Sequence, residues 1–194
     1  MNYFQSYLSI LCPQLIDIIA QGIPDAKTQV VSFIIAKLMV KYQSLSEKYL
    51  IDPIVGFLAK SWDQDQCIPQ EENEIEDSFD PVVVSEERIR QIMTTIHTLL
   101  VSAEPSPEII QAFLSSSVPA LYHLYQFSHH SKSGLKDTTG DILTTYFRII
   151  STSEATMELK RILFDKKGDK RLAYFAPGPT GGVVMRLHKF VFPF

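Results

Sequence analysis

The chain has 194 residues, 22 Asp and Glu against 18 Lys and Arg, 45% hydrophobic residues and a net charge of -4. That size and balance describe one folded domain, or a segment of something longer, and exclude a disordered, collagen-like or generally nucleic-acid-binding chain. Two cysteines, Cys12 and Cys67, are too few for a disulfide framework or a thiolate zinc site.

From the amino terminus, Met1-Asn2-Tyr3-Phe4-Gln5 has no basic n-region, so no signal peptide is expected. The first apolar stretch holds Cys12 and Pro13, and Gly22 stands where a C′ glycine would end its helix. Asp25, after Pro24, is placed to cap the next helix, in which Val31, Ile34, Ile35, Leu38 and Tyr42 recur at helical spacing. The most apolar run, Val30 to Val40, contains Ser32 and Lys37 and falls far short of the ~20 residues that span a membrane. Neither Asn2 nor Asn73 begins a glycosylation acceptor, and a reducing, intracellular setting is expected.

Between Ser61 and Glu87 the charge balance changes. This window has no Lys or Arg and carries Asp63, Asp65, Glu71, Glu72, Glu74, Glu76, Asp77, Asp80, Glu86 and Glu87. Its middle holds too few apolar residues to order itself, so residues 63–84 read as an acidic disordered insertion that is dispensable for folding. The insertion ends in Asp80-Pro81-Val82-Val83-Val84-Ser85-Glu86-Glu87, which resembles a SUMO-interacting motif. A β-branched segment of that kind can add a strand to another protein's sheet edge. The plainer alternative, which is preferred, is a spacer whose valines anchor the helix that Ser85 caps.

Helical periodicity then resumes in Ile89, Ile92, Met93, Ile96, Leu99 and Leu100. Ser106-Pro107-Glu108 is a further start signal, and Ile142, Leu143, Tyr146, Phe147 and Ile150 mark another helix face. Pro13, Pro53 and Pro119 each sit inside an apolar helical stretch, where proline kinks a helix without abolishing it. The first two prolines are 40 residues apart, and the next spacing falls from 66 to 39 once the 27-residue window is removed. A period near ~40 with two helices per unit is the HEAT or armadillo signature. The fold class expected is therefore all-α, a helical-hairpin solenoid of about three and a half repeats.

The expected pairs are 3–21 with 25–43, 45–61 with 86–102, and 107–128 with 136–151, and a further unit starts near Ser153. Divided by role, residues 1–62 hold the first pair and the start of the second, 63–84 the insertion, 85–165 the rest of the solenoid, and 166–194 an irregular basic and aromatic tail. That tail, with Gly178-Pro179-Thr180-Gly181-Gly182 as a turn or linker, lacks the polar capping helix that closes a solenoid. The last unit is thus expected to stay open, and the chain to self-associate or to need another protein.

No phosphate-cradling glycine loop, H-E-x-x-H, C-x-x-C or G-x-S-x-G occurs, so no catalytic residue, cofactor or metal is assigned and an enzyme is not expected. His97 and His123 suit a satisfied or surface role, and His129 and His130, adjacent in a Ser-rich turn, cannot share one helix face. The densest basic cluster, Lys160, Arg161, Lys166, Lys167, Lys170 and Arg171, is a candidate for phosphate contact or nuclear import. Asp165 and Asp169 interrupt it, no aromatic ladder accompanies it, and a solvated helix end is the preferred reading.

The opening Tyr3-Phe4, Cys12-Pro13-Gln14-Leu15-Ile16-Asp17 and Pro24-Asp25 with its amphipathic second helix looks like a HEAT pair, and resembles the transport and Golgi organization protein 6 family. Two departures stand out. Val30 is followed by Val31 where HEAT units place a basic residue, and family members are several times longer, so a fragment or short isoform is expected. The resemblance implies a cytoplasmic, non-enzymatic adaptor for protein partners, linked to RNA polymerase II assembly and nuclear import or to secretory organisation. The alternative is a peripheral trafficking factor that touches membranes.

Overall fold

The structure, a computed structural model, describes residues 3–23, 25–62, 80–102, 107–164 and 173–188. Its helices are α1 (Tyr3–Ala20), α2 (Ala26–Lys41), α3 (Gln43–Ser46), a π-helical stretch (Glu47–Gly56), α4 (Phe57–Trp62), α5 (Glu86–Ser102), α6 (Pro107–Leu114), α7 (Val118–Ser131), α8 (Leu135–Ile149) and α9 (Thr152–Leu163). Three strands, β1 (Val82–Val84), β2 (Ala173–Pro177) and β3 (Val183–Leu187), form a small sheet.

Local chemistry sets the helix ends. Gly22 has φ +66°, its N–H donates to the Ile19 carbonyl at 2.9 Å, and an added Cβ would lie 2.6 Å from Thr94. The turn therefore needs glycine both for its left-handed backbone and for the close approach of α5. Asp25 accepts from the Thr28 amide at 2.7 Å, and Ser85 from the Arg88 amide at 3.3 Å. Ser151 and Glu154 form a reciprocal capping box on α9. Each cap satisfies an amide that the first helical turn leaves without an intrahelical partner.

Prolines act in two ways. Pro13 lies inside α1, and Pro53 inside the π-helical stretch, whose wider turn accommodates a residue that cannot donate and that crowds the preceding turn. Pro119 is different. The expected single helix over 107–128 is broken at Ser115–Ser117, where the Ser117 amide and hydroxyl both donate to the Leu114 carbonyl, at 2.8 and 3.0 Å. Pro119 then sits in the first turn of α7, where its missing N–H costs nothing.

The stack is organised around α5. Ile89, Ile92, Met93 and Ile96 are all but fully buried, and α5 packs on α1, α2, the π-helical stretch, α8 and β3. α1 pairs with α2, and α7 with α8, where Gly140 lets the Tyr125 ring approach closely. The buried stripe of α2 is Thr28, Val31, Ser32, Ile35 and Met39, and Ile34 turns outward instead of inward.

The helical solenoid is as expected, with the sheet a minor addition, and two of its strands, β2 and β3, lie in the segment expected to be an irregular tail. β3 runs antiparallel between β1 and β2, with Phe175 opposite Met185 and Val84 opposite Met185 on the other side. Ala173, Phe175, Val183, Val184, Met185 and Leu187 are buried. The hairpin folds back over the middle of the stack, on α4, α5 and α7. The chain between Asp80 and Val84, assigned to the insertion from sequence, is paired into this sheet.

Candidate functional site

Two features stand out: a pair of clefts beside the π-helical stretch, and a carboxylate clasp at each end of the hairpin. The first cleft, about 300 Å³, opens where α1, the π-helical stretch and α5 meet. Its floor is Ile16, Ile54 and Ile92, and its rim carries Asp17, Gln21, Arg88 and Gln91. Arg88 is pinned there, since its guanidinium donates to the Pro53 carbonyl. The second cleft, about 360 Å³, lies between the π-helical stretch with α4 and the end of α6. Glu47, Asp52, Lys60, Ser115 and Ser116 line it, with Lys60 paired to Asp52 at 2.9 Å.

The first clasp is Glu86. Its carboxylate accepts from the Gly182 amide at 2.9 Å, from the Thr180 amide at 3.2 Å and from the Thr180 hydroxyl. The Thr180 hydroxyl, then the two amides, hold the Glu86 carboxyl below the usual carboxylate range. Gly178 and Gly182 flank the carboxylate so closely that a Cβ on either would overlap it. At the other end, Asp80 accepts from the Tyr174 hydroxyl at 2.8 Å, and the His188 ring nitrogen lies 3.1 Å from the same oxygen. Arg186 donates to the Asp80 carbonyl at 2.6 Å, and the Tyr174 and His188 rings stack 4.2 Å apart. Burial, and then the hydrogen bond to Asp80, raise the Tyr174 phenol.

The sequence candidates therefore fall in different places. Val82, Val83 and Val84 do add as a strand, but to this chain's own β3; Val84 is buried and Val82 is 47% exposed. Glu86 is occupied by the hairpin turn, whereas Glu87 lines the first cleft and binds Arg90 and Gln91. Lys160 is exposed on α9, and Arg161 donates to the Ser115 carbonyl at 2.6 Å and pairs with Glu158 at 2.8 Å. Lys166, Lys167, Lys170 and Arg171 lie outside the described residues. The clefts escaped sequence reasoning because they join residues of three separate elements. The one local signal was a proline inside an apolar helix.

Successive helical units stacked on a shared core, with clefts between units, define an ARM-like repeat protein. A family model described as transport and Golgi organization protein 6 homolog, ARM-like repeat, matches residues 2–191. The chain belongs to that family. No curated protein matches it, and neither does a solved structure.

Proposed function

We propose that this chain is a scaffold, without catalysis of its own, that holds protein partners along its helical stack. The observation that carries the reading is the pair of clefts at the joints between units. In the first, amide and charged side chains of α1 and α5 surround an isoleucine floor, which suits an extended peptide held by its backbone and by alternate apolar side chains. The family resemblance supports partners in RNA polymerase II assembly and nuclear import, or in secretory organisation. It also supports a cytoplasmic location, with shuttling to the nucleus or residence at the Golgi surface.

The test is affinity capture from cell extract with the full chain and with a Gln21→Ala, Gln91→Ala variant. RNA polymerase II subunits or secretory-pathway proteins should be recovered, and lost or strongly reduced with the variant, while its circular dichroism stays unchanged. Recovery of neither set, or equal recovery by the variant, overturns the reading.

A further inference from the structure

Beyond partner binding in the clefts, the outer face of α2 presents an unusual combination. Val30, Phe33, Ile34, Lys37, Val40 and Lys41 recur at three or four residues, opposite the stripe that α2 buries. Val30, Phe33 and Val40 are each more than half exposed. The helix contains Lys27, Lys37 and Lys41 and no acid. Lys37 Nζ stands 5.1 Å from the centre of the Phe33 ring, and two further pairs follow along the chain, Lys41 over Tyr42 at 5.3 Å and Lys48 over Tyr49 at 5.2 Å.

The interleaving of cations and apolar groups decides what can cover this face. A helix from another protein would have to bury the Lys37 ammonium in the middle of the contact, at a heavy desolvation cost. A second copy docked α2 on α2 would set like charges together, lysines against lysines. A bilayer imposes neither cost. Aromatic and branched side chains sit at the boundary of headgroups and acyl chains, and lysines reach the phosphates while staying hydrated. We propose that the α2 face docks on an anionic phospholipid surface. Charge complementarity supplies the attraction, and Phe33 with its valine neighbours supplies the shallow insertion.

The experiment is co-sedimentation of the 194-residue chain with vesicles of phosphatidylcholine alone and of phosphatidylcholine with a minority of phosphatidylserine. Binding should require phosphatidylserine and weaken as salt is raised. A Lys37→Glu, Lys41→Glu variant should bind roughly tenfold more weakly or worse, and Phe33→Ser should also lose binding. All three side chains are exposed, so circular dichroism and Tm should match the parent chain. Equal binding to both vesicles, full binding by the lysine variant, or no binding to either vesicle would each overturn the proposal. The last result would give this face to a protein.

Discussion

The Glu86 carboxylate accepts the Gly182 amide at 2.9 Å across 96 residues of chain, joining the first turn of α5 to the hairpin turn. That contact needs a carboxylate on one side and the absence of a Cβ on the other. The turn itself is closed by the Gly178 amide on the Gly182 carbonyl at 2.8 Å, with Gly181 at φ +91°. The hairpin is thus held to the stack through a side chain that the sequence offers as only one candidate for partner binding.

Because Glu86 and Gly182 form one contact, their substitutions should not add. Glu86→Ala and Gly182→Ala should each lower Tm and speed proteolytic cleavage of the hairpin several-fold. The double variant should fall no further than the worse single one. The Glu86 carboxyl is held low by Thr180 and the turn amides, so its contribution is present above the usual carboxylate range. It is lost as pH falls through the lowered folded value, and Glu86→Ala should remove that part of the acid dependence. Additive losses in the double variant would show that the two positions act separately.

Features set by neighbours in sequence were legible before the fold was known. Gly22, Asp25 and Ser85 do what their residue types and positions imply, because a cap is a contact over three residues. The sheet was not legible. β1 is only three residues long, and its partner β3 lies about a hundred positions away, so no local periodicity reports the pairing. Pro119 misled for a related reason: a proline in the first turn of a new helix and one inside a continuous helix give the same pattern of flanking apolar residues. Ser117, whose hydroxyl and amide close the preceding turn, distinguishes them only in three dimensions.

Ser32 offers a test of the core. It is fully buried on α2, its hydroxyl has no hydrogen-bond partner among the described residues, and it faces a cavity of about 20 Å³ among Ile35, Met39, Leu99, Ile110 and Phe113. Burying a hydroxyl without a partner costs about 1–3 kcal/mol, and serine is also a poorer helix former than alanine. Ser32→Ala should therefore stabilise the chain by about 1 kcal/mol, raising Tm by roughly 2–4 °C in a domain of this size. A fall in Tm would mean that the hydroxyl is satisfied in solution.

Tyr146 makes the stability sensitive to alkali. Burial pushes its phenol up to about 12 from an ordinary value of 10.0, and the Glu158 carboxylate acts in the same direction. The unfolded chain loses this proton near pH 10 while the folded chain keeps it to about pH 12. The contribution is full below the unfolded value and disappears as pH rises through the folded one. Denaturant midpoints should fall across that window, and Tyr146→Phe, which cannot ionise, should fall less steeply. Equal slopes for the two proteins would remove Tyr146 as the cause.

The boundary of the acidic segment can be fixed by two deletions. The described chain resumes at Asp80, which clasps Tyr174 and His188 and receives Arg186, and the Pro81 carbonyl accepts the Leu187 amide at 3.1 Å. Removing 64–78 takes out none of these groups, and loop length changes closure free energy by only about 0.6 kcal/mol per doubling. Removing 64–82 also takes away the clasp and the first residue of β1. The shorter deletion should leave Tm close to that of the intact chain. The longer one should lower it and expose the hairpin to protease, because β3 then loses the Asp80 clasp, the Pro81 hydrogen bond and its pairing at Val82. If both deletions behaved alike, Asp80, Pro81 and Val82 would contribute nothing to docking the hairpin, which would then be held by the Glu86 clasp and by packing such as that of Phe175 against Trp62, whose rings stack 5.3 Å apart.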